Sequence, residues 1–153
     1  MCNIKNHPTL SYRLINNVTG WVAFVVASIT YILTVEPTAS LWDCGEFITT
    51  SVGLQVGHPP GAPLFMMISR FFTMFGGPGQ AAVLVNSMSA LASGATVMFL
   101  FWTITHLARR AMRKSGDELT LPQTIAVLGA GLIGAGAYTF TDTFWFSAVE
   151  GEV

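Results

Sequence analysis

The sequence predicts an all-α polytopic membrane protein, and three observations carry that prediction. Only 10% of the 153 residues are charged while 52% are hydrophobic; a soluble domain carries about 25% charged residues. Three runs, residues 14–35, 81–105 and 119–141, contain no Asp, Glu, Lys or Arg, and each exceeds the roughly 20 residues a spanning helix needs. Basic residues gather beside these runs in a pattern that assigns them consistently to one side of a bilayer. The net charge of −1, with no basic stripe among aromatics, excludes nucleic acid as a partner.

The first span is placed at residues 15–35, with its apolar heart between Trp21 and Leu33. Lys5 and Arg13 precede it, as they would a secretion signal. Its apolar stretch exceeds the roughly 7–15 residues of a signal core, and no small-x-small cleavage site follows, so it is read as a retained helix. Glu36, Asp43 and Glu46 follow it. This asymmetry puts the N-terminus in the cytoplasm and the 36–80 loop outside. Asn17-Val18-Thr19 has glycosylation spacing but falls on the cytoplasmic side. Cys2 and Cys44 are too few for a disulfide framework and lie across the bilayer from one another, so no bridge is expected.

Pro37 ends the first helix. A short helical pattern over residues 47–56 follows, then "GHPPGAP" and a 14-residue apolar run, 62–75, that contains Arg70. At about 1.5 Å per residue that run reaches roughly 21 Å, short of a hydrocarbon core of about 30 Å. Parity supports the same conclusion. If 62–75 crossed, Arg109, Arg110, Arg113 and Lys114 would fall outside, against the positive-inside rule. The run is therefore predicted to lie flat as an interfacial helix.

The second span, 82–105, then runs inward to a cytoplasmic basic loop at 106–119. Asn86, Ser89, Ser93 and Thr96 recur along it at helical spacing, predicting one polar stripe against a neighbouring helix. His106 sits at its cytoplasmic end, where a solvated or headgroup-contacting role is expected. The third span, 120–141, contains "GAGLIG", residues 129–134, which matches a dinucleotide fingerprint letter for letter. It lies inside an uncharged run with no strand before it, so its glycines are read as close helix packing. Asp142, Glu150 and Glu152 then return to the outer face. "FWFSAVEGEV" opens another amphipathic element, and we expect the chain to be the N-terminal membrane module of a longer protein, inactive alone.

The outer loop holds the candidate chemistry. Asp43-x-x-Glu46 has capping-box spacing, which would account for both acids structurally. Alternatively, two acids three apart share a helical face, about 5–6 Å between Cβ atoms. Flanked by Leu41, Trp42 and Phe47, they have the desolvated setting that raises a carboxylate towards general-base duty. Pro59 and Pro60 stiffen the backbone after His58, Gly57 and Gly61 allow bends, and Pro63 suits the first turn of a helix. Arg70 has two readings: a bidentate contact to a lipid phosphate, or simple snorkelling.

At these residues a family resemblance appears. "PTASLWDCGEFITTSVGLQVGHPPGAPLFMMISRFF" closely resembles the signature of a bacterial membrane family of formerly unknown function. That family is grouped in glycosyltransferase family 117 with the eukaryotic transmembrane O-mannosyltransferase of plexin-type domains. The order of acid pair, "HPP", interfacial helix and span is also similar to GT-C protein O-mannosyltransferases. The resemblance implies a GT-C-type bundle and an enzyme that moves a sugar, mannose, from a polyprenyl-phosphate donor to Ser or Thr of exported proteins. It implies Asp43 as catalytic base and Glu46 as its assistant or acceptor-positioning partner, and it matches His58 to the histidine of the family's proline motif. We place His58, Arg70 and Trp42 among the substrate-binding residues. Cys44 and Gly45 separate acids that are adjacent in the wider family, which leaves open which carboxylate is the base.

An inverting displacement needs one base, and phosphate leaves without an acid. One histidine and two acids also compose a facial metal triad, but we expect no resident metal or other cofactor. The alternative from another class is a non-catalytic transporter or membrane scaffold subunit with an acidic outer loop. The expected location is the inner membrane, multi-pass, N-terminus cytoplasmic and active loop periplasmic. The expected partners are the lipid-linked sugar, the exported acceptor protein and the bilayer.

Overall fold

The computed structural model describes residues 12–40, 43–58, 61–112 and 119–151. Their helices are Tyr12–Leu33 (α1), Cys44–Gly53 (α2), Pro63–Thr73 (α3), Ala81–Met112 (α4), Leu121–Thr139 (α5) and Asp142–Val149 (α6). A 3-10 turn, Pro78–Gln80, leads into α4, and no strand occurs among the described residues. The helices α1, α4 and α5 are long and apolar enough to cross a membrane. The protein is an all-α, multi-pass membrane protein.

The axis of the fold is α4. Its 32 residues reach about 48 Å, well beyond a hydrocarbon core of about 30 Å. The expectation of a basic loop from residue 106 is corrected here. His106, Arg109 and Arg110 lie on the last turns of α4, because Leu107, Ala108 and Ala111 favour helix and a C-terminal dipole favours cations. Arg113 and Lys114 lie outside the described residues, as do Cys2, Lys5, Trp42, Pro59, Pro60 and Glu152. At this end Arg109 stands 4.6 Å over the ring of Tyr12, tying the start of α1 to the end of α4.

Small residues let α1 and α5 lie close along α4. Gly94 of α4 faces Ser28 of α1 with no room for a Cβ. On α5, a Cβ on Gly131 would press on Thr105 and Phe101 of α4, so part of "GAGLIG" is a helix contact. The polar stripe on α4 is only half what its spacing suggested. Asn86 is fully buried and Ser89 donates to the Ser147 carbonyl at 3.3 Å. Thr96 is exposed and bonds instead to Ala92 of its own helix.

At the other end of the bundle, Tyr31 joins three helices. Its buried hydroxyl donates to the Thr139 carbonyl at 2.9 Å. Its ring meets Phe144 and Trp145 of α6 edge-on. These contacts fold α6 back onto α1 and α4, so "FWFSAV" forms a short docked helix. Beside it, α2 and α3 pack on one another and on the start of α4, where Cys44, Ile48, Ala81 and Val85 make a small separate core. In α3, Met66, Ser69 and Thr73 are buried while Leu64, Met67, Ile68 and Phe71 are exposed. Its 11 residues extend about 16 Å, too short to cross.

Candidate functional site

Where the short helix starts and stops determines the site. It was expected over 47–56, but α2 begins at Cys44, whose buried side chain docks on α4. It ends where Leu54 takes a left-handed conformation, φ 49°, and Gln55 N–H reaches back to the Thr50 carbonyl at 2.9 Å. This reversal sends the chain back along α2, and four residues later His58 lies against the helix's first turn.

The capping-box reading is corrected by the geometry. Asp43 occupies the N-cap position with helical backbone, φ −81° and ψ −4°, and its side chain makes no cap bond. A capping side chain ordinarily works from extended backbone. Glu46 turns instead to His58. One carboxylate oxygen accepts the His58 backbone N–H at 2.8 Å, and the other meets the ring Nδ1 at 3.0 Å. The far side of the imidazole, Nε2, faces an Asp43 oxygen at 3.8 Å. Gly57 lies against the same group: a Cβ there would stand in contact with the Glu46 oxygen at 3.4 Å and with Met66 Cε at 3.3 Å.

Asp43, Glu46 and His58 thus form one cluster, His58 between the acids, each side chain about half exposed. The backbone N–H of His58, and then its ring, hold Glu46 below the ordinary carboxylate range. Hydrogen bonding to Glu46, then the charges of Glu46 and Asp43, raise the proton affinity of His58. The expectation of a desolvated, raised carboxylate therefore fails for Glu46. Both its oxygens already serve His58, which makes it a poor proton acceptor. Asp43 is the acid whose oxygens form no hydrogen bond among the described residues.

One donor atom from each of the three residues lies within 4.8 Å of the others. A divalent ion could find two oxygens and a nitrogen there, with water completing its shell. To bind through Glu46 it would compete with the bond to Nδ1.

Arg70 is not part of the cluster. Its guanidinium donates to the Val52 carbonyl at 2.8 Å, at the opposite end of α2. Nine residues of helix, about 13 Å, separate that carbonyl from Asp43. Trp42 adjoins Asp43 in the chain but falls outside the described residues. The sequence reading did not anticipate the apolar recess of about 390 Å³ between the end of α2 and the start of α3, lined by Leu54, Val56, Gly57, Pro63, Met66 and Met67 among others. Exposed Leu54 and Val56 in the loop between two helices, with Met67 on α3, were the available signal. A second recess of similar volume, between α1 and α6, carries Glu36, Asp142 and Glu150.

Residues 43–153 match the model of the protein O-mannosyl-transferase TMEM260 N-terminal domain. The chain is 29% identical over 131 residues to the mouse protein O-mannosyl-transferase TMEM260, covering 84% of this chain and 16% of that protein. To its Dictyostelium discoideum counterpart it is 25% identical over 132 residues, covering 85% of this chain and 14% of that protein. The chain therefore spans less than a fifth of the length of these relatives. No solved structure matches.

Proposed function

From the premise that this chain belongs to the TMEM260 N-terminal domain family, we propose that it forms the reaction loop of a GT-C-type membrane glycosyltransferase of family 117. The enzyme moves mannose from a polyprenyl phosphate to Ser or Thr of an exported protein. The observation that carries this reading is the division of labour in the cluster: Glu46 is engaged by His58, while the Asp43 oxygens beside them form no hydrogen bond among the described residues.

In the proposed step Asp43 takes the proton of the acceptor hydroxyl. The hydroxyl oxygen bonds to the anomeric carbon, the bond from that carbon to the phosphate oxygen breaks, and polyprenyl phosphate leaves with the electron pair. His58, protonated and held through Nδ1, presents Nε2–H to the leaving phosphate. The apolar recess that begins at the neighbouring Gly57 suits the first isoprene units. Arg70 uses one of five N–H donors on Val52, and its distance from Asp43 suits a phosphate or headgroup on the donor's approach. Trp42, next to the base in the chain, is assigned a sugar contact. The reaction as written needs no resident ion, and its loop faces the non-cytoplasmic side of the inner membrane.

The test uses the full-length protein, labelled mannose on a synthetic polyprenyl phosphate, and Ser/Thr peptides. Asp43→Asn should lower transfer about 10²–10⁴-fold, the contribution of a general base, and EDTA should leave the wild type unchanged. Wild-type transfer by a stably made Asp43→Asn protein would remove Asp43 from the base role, and no transfer by the wild type itself would leave the scaffold alternative standing.

A further inference from the structure

Asn86 is fully buried near the start of α4, and its amide is used on both sides. The nitrogen donates to the carbonyls of Glu36 at 2.7 Å and Thr38 at 3.2 Å. The oxygen accepts the Gly151 N–H at 2.8 Å and faces the buried Cys44 thiol at 4.0 Å. That exhausts two donors and two acceptor positions. The end of α6 and the residue after it add two more ties to the same loop: Glu36 N–H to the Val149 carbonyl at 3.2 Å, and the Ser40 hydroxyl to Glu150 at 2.8 Å. Gly151 leaves the approach open, since a Cβ there would lie 2.8 Å from Val85 and 3.0 Å from the Asn86 oxygen.

These contacts have a direction. The connection from α1 to Asp43 has no helix of its own among its described residues. Asn86 grips its beginning at Glu36 and Thr38 and meets the residue after Asp43, Cys44. We infer that Asn86, with residues 149–151, is a clasp that positions Asp43 relative to α4, bringing a segment more than 100 residues away in the chain to bear on the proposed base. Its catalytic consequence rests on the sugar-transfer reading; its geometry does not.

The test uses full-length protein in native membranes and two readouts. Asn86→Leu keeps the shape and removes every polar contact; Gly151→Ala crowds the same joint; Gly136→Ala, with nothing within 4 Å of its added Cβ, is the control. The two clasp variants should lose kcat by on the order of 10²-fold with donor KM unchanged, as expected for a misplaced base. Cys44, protected from a small maleimide in the wild type and the control, should become labelled in both. Wild-type kcat with protected Cys44 in either clasp variant would overturn the inference. So would a loss of protein yield with kcat per folded molecule intact, which is a merely structural role. If Asp43→Asn itself transfers at the wild-type rate, the assignment of Asp43 as base falls, while Cys44 labelling still decides whether the clasp exists.

Discussion

Replacing Tyr31 by Phe removes one oxygen from the bundle at the point where α1, α5 and α6 meet. The Thr139 carbonyl that it satisfies belongs to the last turn of α5, where carbonyls have no partner within the helix. The Thr139 side chain is already turned to Ala135 at 2.8 Å and offers no substitute. Orphaning a buried acceptor costs about 1–3 kcal/mol. Tyr31→Leu should add the loss of two edge-on aromatic contacts, to Phe144 at 6.0 Å and Trp145 at 5.9 Å, each worth about 0.5–1.5 kcal/mol beyond burial. Thermal unfolding in lipid nanodiscs should place Tyr31→Phe below the wild type, by about 2–4 °C per kcal/mol, with Tyr31→Leu lower again. A Phe variant that melts with the wild type while the Leu variant falls would show that the ring alone matters and that the hydroxyl bond is not made.

Glu46→Gln tests the partnership with His58. A histidine with raised proton affinity contributes its tie fully below its ordinary value of 6.5 and loses it as pH rises through the raised value. A depressed Glu46 contributes above its ordinary 4.5 and loses it as pH falls through the lowered value. The loop is therefore held best between those limits, and Glu46→Gln should move the alkaline limb of the transfer rate to lower pH; an unmoved limb refutes the role given to His58. Arg70→Ala should raise the donor KM at least several-fold while leaving acceptor KM and kcat near wild type. Equal effects on donor and acceptor would remove Arg70 from the donor path.

Much of the fold was legible because lipid imposes a coarse rule: a long run without charge must be a helix. That rule found three helices but could not say where α4 stops, since Arg109 and Arg110 are as much at home on a last helical turn as in a loop. Nor could it foresee that α6 folds back, because that depends on Tyr31 reaching Phe144 and Trp145, a contact between distant residues. At the site, the acids and His58 were legible as candidates of one outer loop, but the reversal at Leu54 is what brings His58 against them. Which partner Glu46 takes was not legible, because the same carboxylate suits a cap or a histidine. The left-handed turn at Leu54 decides for the histidine. Asn86 looked like one of four polar residues in a stripe, and its contacts with the 36–38 loop and the returning Gly151, all distant in the chain, distinguish it from Thr96.

The central claim is that the Asp43, Glu46 and His58 cluster and both ends of α3 share the non-cytoplasmic side of the membrane. Single cysteines at Thr49, Gly79 and Arg110, introduced into full-length protein lacking other reactive cysteines, can be labelled with a membrane-impermeant maleimide in intact cells. Labelling at Thr49 and Gly79 with protection at Arg110 until the cells are opened is the predicted pattern. Protection at Thr49, or opposite behaviour of Thr49 and Gly79, would contradict it, because the acids would then face the wrong compartment or α3 would cross the bilayer.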